Sequence, residues 1–319
     1  MGVLVNGFWQ DARYDNQRGE FIRYESLFRD RVSADGSAGF LAEPGRYHLY
    51  VSLACPWAHR TLILRALKGL ESAISVSVVD PYMGADGWRF GDRPGCTPDT
   101  VNGAALLREV YLKAVADYSG RVTVPVLWDR ETGRIVNNES SEIIRMLNRE
   151  FDAFATREFP DLRPAPLQAR IDEWNEMIYR DVNNGVYRAG FATAQDKYES
   201  AVHGLFGALD AIEAHLAHSR YLCGMAMTEA DWRLFTTLVR FDAVYYGHFK
   251  CNLRRLSDYD HLWAYTRDLY QVPGVAETVD LWHIKEHYYR SHDRINPTGI
   301  VPVGPIIDFS APHGRAALG

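Results

Sequence analysis

The stretch Tyr47–Leu67, YHLYVSLACPWAHRTLILRAL, decides the fold of this chain because it joins a strand to a helix at a cysteine. Aromatic and β-branched residues in its first half predict a buried strand, and Pro56 opens a run of good helix formers. Proline suits the first turn of a helix, since its missing N–H would have had no intrahelical partner there. Cys55 is therefore predicted at or beside the helix N-cap.

The predicted position of Cys55 favours nucleophilic chemistry. A sulfur at a helix N-terminus faces unpaired backbone N–H groups and the positive end of the helix dipole, and both favour a thiolate over a thiol. The alternative is that Cys55 is a small buried hydrophobic residue, as most free cysteines are. Ala58 stands where a C-x-x-C motif would have its second cysteine, so thiol chemistry at this site needs an external thiol.

The composition narrows the possible functions. The chain has 319 residues, of which 47% are hydrophobic, and this favours two domains with sizeable cores. A net charge of −6, with Arg254 and Arg255 as the only notable basic pair, argues against nucleic-acid binding. Neither a basic leader nor a membrane-length apolar window is present, so no membrane association is expected. The cysteines lack framework spacing, which predicts a reducing, cytoplasmic setting.

Strands and helices alternate in the predicted elements of the first half. After Tyr47–Leu67 the predicted elements are a strand at Ile74–Asp80, a helix at Leu106–Tyr118, a strand at Val122–Asp129, a short strand at Arg134–Asn137 and a helix at Ser140–Glu150. The order β-α-β-α-β-β-α matches the thioredoxin fold, in which a proline before the third strand is cis and lies against the active-site cysteine. Pro125 occupies that position. The predicted fold class is therefore an α/β thioredoxin-like domain.

Later segments show helical periodicity only. The predicted helices are Leu167–Val182, Tyr198–Ala217, Glu229–Phe241, His261–Tyr270 and Ala276–Tyr289. Thr228 and Asp231 form a capping-box pattern at the start of the third. The predicted organisation is an N-terminal extension (1–46), a thioredoxin-like domain (47–150), a proline-rich linker (151–166), an all-helical domain (167–290) and a C-terminal tail (291–319).

A thioredoxin-like domain with a CPWA motif, followed by an all-α domain, resembles the cytosolic glutathione transferase superfamily. More specific motifs resemble the glutathionyl-hydroquinone reductases, also called the Xi class: CPWAHR at 55–60, DGW at 86–88, TVPVLWD at 123–129, NNES at 137–140, NNGVYRAGFA at 183–192 and INPTGIVPVGP at 295–305. CPWA is shared with Omega-like transferases, whereas NNGVY and the long C-terminal segment are far more specific.

This resemblance implies glutathione as co-substrate and a glutathionyl-hydroquinone as substrate. Cys55 would attack the glutathione sulfur of the thioether, and a second glutathione would resolve the resulting mixed disulfide. Tyr187 and Tyr288 would donate hydrogen bonds to the ring from the helical domain. The resemblance also implies a homodimer.

The resemblance assigns the binding of glutathione to five further residues. Glu139 and Ser140 would meet the ammonium and α-carboxylate of its γ-glutamyl end, a role compatible with simple N-capping. Val124 would offer its backbone N–H and C=O to the cysteinyl part, with Pro125 in the cis form. Trp88, in the long loop Pro81–Thr100, would form a wall of the site; the alternative is an ordinary core tryptophan.

Other chemistry-bearing residues receive structural interpretations. His283 and His287 have a spacing that suits two metal ligands on one helix face, but no third ligand accompanies them, and no metal site is predicted. The cysteines other than Cys55 are expected to be structural, with Cys96 the closest in sequence to Trp88.

Two alternative functions stay open at this point. One is an Omega-like thiol transferase acting on dehydroascorbate or on protein–glutathione disulfides, which would share Cys55 and the glutathione site. The other is a catalytically silent, glutathione-transferase-like interaction module, against which the intact Cys55 and Glu139 argue.

Overall fold

The computed structural model describes residues 2–10 and 16–318 and divides into two compact units. The first unit comprises Met1–Tyr14, Arg23–Pro160 and Thr278–His287, and the second comprises Asp15–Ile22, Asp161–Glu277 and Tyr288–Gly319. The predicted division of the chain into five segments stays a prediction.

Six short strands occupy the N-terminal part, where the sequence predicts only an extended segment: β1 (Val3–Val5), β2 (Phe8–Gln10), β3 (Asn16–Gln17), β4 (Glu20–Phe21), β5 (Arg31–Ser33) and β6 (Gly39–Leu41). β1 pairs with β2, β3 with β4, and β5 with β6. Strands of two or three residues are too short to show a periodicity, which is why the sequence did not reveal them.

A four-stranded mixed sheet lies at the centre of the first unit. Its strands are β7 (Tyr47–Val51), β8 (Ile74–Val78), β10 (Val126–Asp129) and β11 (Arg134–Asn137), in the order β11-β10-β7-β8. β7 and β8 are parallel, whereas β10 is antiparallel to both of its neighbours. The intervening β9 (Gly120–Arg121) pairs with β1 instead. All five residues of β7 are buried, as the aromatic and β-branched run predicts.

Among the described residues of the first unit, three α-helices lie wholly within it: α1 (Pro56–Leu67), α2 (Leu107–Ala114) and α3 (Ser140–Arg149). The order β7-α1-β8-α2-β10-β11-α3 confirms the predicted thioredoxin-like fold. The predicted strand Val122–Asp129 is wrong in its first four residues, because β10 begins only at Val126. Pro125 has no N–H to donate to a sheet ladder, and pairing starts after it.

The helices of the second half are α4 (Gln168–Met177), α5 (Gly185–Gly190), α6 (Gln195–Leu216), α7 (Glu229–Leu238), α8 (Asp260–Tyr270) and α9 (Leu281–Ser291). α9 is divided between the units at His287. The predicted helix start at Ala276 is wrong, because residues Ala276–Thr278 form a 3-10 turn. α9 begins later, where the Asp280 carboxylate accepts a hydrogen bond from the His283 N–H at 2.8 Å.

In the second unit the predicted helix cap is confirmed, whereas two irregular helical turns were not predicted. The capping box at the start of α7 is present, with the Thr228 N–H donating to Asp231 Oδ2 at 2.7 Å. Two π-helical turns, Ile178–Asn183 and Phe241–Tyr245, were not predicted. Within residues 2–10 and 16–318, no helix combines the length and the apolar character that crossing a membrane requires.

Candidate active site

Cys55 is the N-cap residue of α1, as predicted. Its backbone is extended (φ −79°, ψ 120°), Pro56 follows in the first turn, and no acidic residue lies in that turn. The Cys55 side chain is partly exposed. Its sulfur lies 3.7 Å from the carbonyl oxygen of Val124, and the Val124–Pro125 peptide is cis. The predicted contact between the cysteine and the segment before the third strand is therefore confirmed.

A buried arginine adds positive charge to this region. The Arg60 side chain is 2% exposed, and its guanidinium carbon lies 4.6 Å from the ring centre of Trp57. Arg23 lies on the same indole, at 4.5 Å. Arg60 Nη1 donates to Ser140 Oγ at 3.4 Å. Cations here favour anionic groups, whether a thiolate or a ligand carboxylate. Apart from its place in the CPWAHR motif, no sequence pattern indicated Arg60.

Glu139 caps α3, so the predicted N-capping is confirmed. Glu139 Oε1 accepts hydrogen bonds from the Ser141 N–H at 3.0 Å and from Ser141 Oγ at 2.9 Å. Its second oxygen accepts from Ser26 Oγ at 3.2 Å. A carboxylate offers about four lone-pair positions, so capping leaves acceptor capacity for an ammonium group. The glutathione-binding roles of Glu139 and Ser140 stay predictions.

Trp88 lies in an ordered part of the long loop. Backbone hydrogen bonds hold this part, from Asp80 N to Arg89 O at 2.8 Å and from Leu107 N to Trp88 O at 2.9 Å. Trp88 is 6% exposed, and its ring stacks on that of His287 with centroids 4.9 Å apart and an interplanar angle of 23°.

The remaining cysteines lie in surroundings that disfavour a thiolate. Burial raises the pKa of the Cys96 thiol to about 11, and it also raises the pKa values of Cys223 and Cys251. A raised pKa favours the thiol over the thiolate, which agrees with the structural roles predicted for these cysteines. Within the described part of the chain, no group of three or more His, Cys, Asp and Glu side chains is placed to hold a metal ion.

The second unit contains a cluster of three tyrosine hydroxyl groups. Tyr187, on α5, and Tyr288, on α9, have their hydroxyl oxygens 2.6 Å apart, so the structure brings these two predicted residues together. Tyr245 adds a third hydroxyl, 2.9 Å from that of Tyr288. Burial raises the pKa of Tyr288 well above its ordinary value, so the phenol is neutral and can donate a hydrogen bond.

Tyr245 was missed by the sequence analysis. It lies in the π-helical turn Phe241–Tyr245, beyond the predicted helix end, and π-helical turns are frequent at functional sites. Phe241, Val244 and Tyr245, at i, i+3 and i+4, continue the apolar spacing of the predicted helix and could have placed this residue on its buried face.

Aromatic rings surround the tyrosine hydroxyls. Phe249 lies 5.6 Å from Tyr187 and 5.4 Å from Tyr288, measured between ring centroids. Gly190 makes this packing possible, because a Cβ atom there would lie 2.1 Å from Cγ of Phe249. The glycine of the NNGVYRAGFA motif therefore has a packing role.

An N-capping cysteine in a thioredoxin-like unit, followed by a helical unit, is the arrangement expected of a glutathione transferase. Family models for the glutathione S-transferase N-terminal and C-terminal domains match residues 54–150 and 195–268, respectively.

Comparison with individual relatives narrows the assignment to one class of glutathione transferase. The chain is 55% identical, over 99% of its length and 98% of the relative's, to the glutathionyl-hydroquinone reductase YqjG of Escherichia coli. The glutathione-bound structure of YqjG superposes with a TM-score of 0.92 at 53% identity, covering 99% of both chains. A Xi-class glutathione transferase from Natrialba magadii gives a TM-score of 0.93 at 53% identity, covering 99% of this chain and 97% of that one. The chain belongs to the Xi class, the family of the glutathionyl-hydroquinone reductases.

Proposed function

We propose that this protein reduces glutathionyl-hydroquinones to hydroquinones, with glutathione as the reductant and glutathione disulfide as the second product. The observation that carries the proposal is the partly exposed Cys55 at the N-cap of α1, 3.7 Å from the Val124 carbonyl, in a member of the Xi class.

In the first step the Cys55 thiolate attacks the sulfur that joins glutathione to the ring. A sulfur–sulfur bond forms, the sulfur–carbon bond breaks, its electron pair leaves with the ring, and one proton is taken up to complete the hydroquinone. The products are the free hydroquinone and a mixed disulfide between Cys55 and glutathione.

In the second step a glutathione thiolate attacks the mixed disulfide. Glutathione disulfide leaves, and the Cys55 thiolate is restored. The ring carbon has been reduced from a carbon–sulfur to a carbon–hydrogen bond, and two glutathione sulfurs have been oxidised to one disulfide. No further oxidant or reductant is needed.

Carbon is a poor leaving group, so the ring needs assistance. Tautomerisation of the hydroquinone to a keto form allows negative charge to develop on oxygen as the bond breaks. Tyr187 and Tyr288 are proposed to donate hydrogen bonds to that oxygen, supported by the contact between their hydroxyls and by the raised pKa of Tyr288.

Five residues are proposed to bind glutathione in the roles that the family resemblance assigns: Trp88, Val124, Pro125, Glu139 and Ser140. The helix N-terminus at Ser140 and the adjacent Arg60 support a carboxylate at this end of α3. No metal takes part in the proposed chemistry.

We also infer a cytoplasmic setting, supported by four cysteines that form no disulfide. A homodimer is inferred as well, to be tested by light scattering during size-exclusion chromatography.

The direct test incubates purified protein with glutathione and a glutathionyl-hydroquinone while hydroquinone and glutathione disulfide are measured. We expect the two products in equal amounts. Failure to form hydroquinone, combined with efficient reduction of dehydroascorbate or of a glutathione mixed disulfide, would assign the protein to the Omega-like alternative. Failure with every substrate would favour the silent interaction module.

Cysteine variants provide the matched controls for this assay. Cys55→Ala should abolish turnover, and Cys55→Ser should leave at most a trace. Cys96→Ala should retain activity, because burial keeps that thiol protonated.

A further inference from the structure

The N-terminal half of α9 holds the loop that carries Trp88. Arg93 of this loop donates from Nη1 to Asp80 Oδ1 at 3.1 Å and from Nη2 to Glu286 Oε2 at 2.7 Å. Its guanidinium carbon also lies 5.0 Å from the ring centre of Trp282. One arginine thus connects two points of α9 to the start of the loop within the first unit.

The histidine pair on α9 makes two further connections to the same loop. His283 is fully buried, and its Nε2 lies 2.7 Å from the carbonyl oxygen of Pro94. A Cβ atom at Gly95 would lie 2.5 Å from the same nitrogen, so the loop backbone packs directly against the imidazole. One turn later, His287 Nδ1 lies 2.8 Å from the carbonyl oxygen of Pro81. A carbonyl oxygen can only accept, so each imidazole donates.

The geometry around His287 differs from that around His283 in one respect. The His287 ring also carries the Trp88 indole, at 4.9 Å and 23°, while its Nδ1–H is committed to Pro81. Hydrogen bonding fixes the ring, and the ring in turn supplies the flat surface on which Trp88 lies. His287 is 8% exposed, so this stack is almost fully removed from solvent.

We propose that His287 is a positioning residue that sets the orientation of Trp88 for glutathione binding, and that the stacked ring is the part that acts. The i,i+4 histidine pair, whose spacing suggested metal ligation, instead anchors the loop at Pro94 and Pro81. This inference rests on the proposed role of Trp88 as a wall of the glutathione site.

Two substitutions separate the ring from the hydrogen bond. His287→Phe keeps an aromatic ring and loses the donor, whereas His287→Asn keeps a donor near the Nδ1 position and loses the ring. His283→Gln, which keeps a donor near the Nε2 position, is the control for a general disturbance of α9. His287→Gln serves as a second ring-free variant if His287→Asn does not fold, as judged by thermal melting.

The readouts are the near-UV circular dichroism assigned to Trp88, by difference from Trp88→Phe, and the affinity for S-methylglutathione, a non-reacting ligand. Loss of the aromatic pair in His287→Asn should alter the Trp88 signal and weaken binding by about two- to tenfold. His287→Phe and His283→Gln should stay within about twofold. In a Trp88→Ala background, His287→Asn should have no further effect on binding.

Each contrary result has a distinct meaning. An unchanged Trp88 signal in the ring-free variants, or an undiminished effect of His287→Asn in the Trp88→Ala background, would overturn the positioning role. Unaltered ligand affinity in Trp88→Ala would overturn it as well, by removing Trp88 from the glutathione site. None of these three measurements follows hydroquinone release, so failure of the proposed reaction would be recognised separately in the turnover assay.

Discussion

Cys55 stands apart from the other cysteines because of its backbone position. It caps a helix that begins with proline and has no acidic residue in its first turn. Burial raises the pKa values of Cys96, Cys223 and Cys251, and Cys96 is the most accessible of these three. The cysteines of this chain therefore lie in two kinds of environment: Cys55 at a helix N-terminus, and the other three where burial disfavours a thiolate.

Brief alkylation with iodoacetamide near neutral pH should label Cys55 first, because the thiolate is the reacting form and burial raises the pKa values of the other three cysteines. Peptide mass spectrometry would identify the labelled site. Cys55→Ser should remove the fast phase and Cys96→Ser should retain it. Equal labelling rates at Cys55 and Cys96 would be incompatible with this assignment.

Tyr187→Phe removes a hydroxyl from the tyrosine cluster without removing its ring. Thioether cleavage should fall by about tenfold or more, since a donor to the developing oxyanion is lost. Reduction of a preformed glutathione mixed disulfide should change little, because sulfur is a good leaving group. Tyr270→Phe, which alters a tyrosine packed on Phe309, is the control. Equal losses in both reactions would contradict the donor role.

At the scale of elements, the features that could be predicted from the sequence were those set by residues close together in the chain. Pro56 after Cys55 and the pairing of Thr228 with Asp231 each act within one helical turn, and both gave the correct helix start. Tyr245 and His287 acquire their roles from residues far away in sequence, Tyr288 and Trp88, and no local pattern encodes such contacts. Tyr187 and Tyr288 were predicted from the family resemblance alone, because their contact also joins residues far apart in sequence.

Helix α5 offers a test of close packing beside the tyrosines. Gly190→Ala would place a methyl group 2.1 Å from the Phe249 ring, and relief of this overlap should cost about 1–3 kcal/mol of unfolding free energy. Gly204→Ala in α6, where no atom lies within 4 Å of the added methyl, should instead stabilise by about 0.5–1 kcal/mol. Urea unfolding would measure both. If the two substitutions changed the unfolding free energy by the same amount and in the same direction, the contact with Phe249 would be unimportant.

The C-terminal tail illustrates what is visible only in the whole molecule. The sequence predicts a C-terminal tail (291–319), but not what holds it. Arg315 is 2% exposed and donates to the carbonyl oxygens of Leu216 at 3.1 Å, Ser219 at 2.6 Å and Arg220 at 2.8 Å. The guanidinium thus caps the C-terminus of α6, where a positive charge is favoured by the helix dipole.

Arg315→Ala should release this end of the tail and lower stability by about 2–3 kcal/mol, because carbonyl groups bonded to a charged donor lose their partner. Limited proteolysis should then remove the tail faster, and urea unfolding should shift to lower concentration. Leu318→Ala, at a site that is 37% exposed, provides a neutral control. A tail that resists protease in Arg315→Ala would mean that other contacts hold it.

A single turnover without free glutathione shows whether Cys55 takes the glutathionyl group from the thioether. Protein mixed with excess glutathionyl-hydroquinone should release one equivalent of hydroquinone and carry one glutathionyl group on the peptide containing Cys55. Added glutathione should then remove that group as glutathione disulfide. Hydroquinone release with no adduct at Cys55, or with the adduct on another cysteine, would contradict the account.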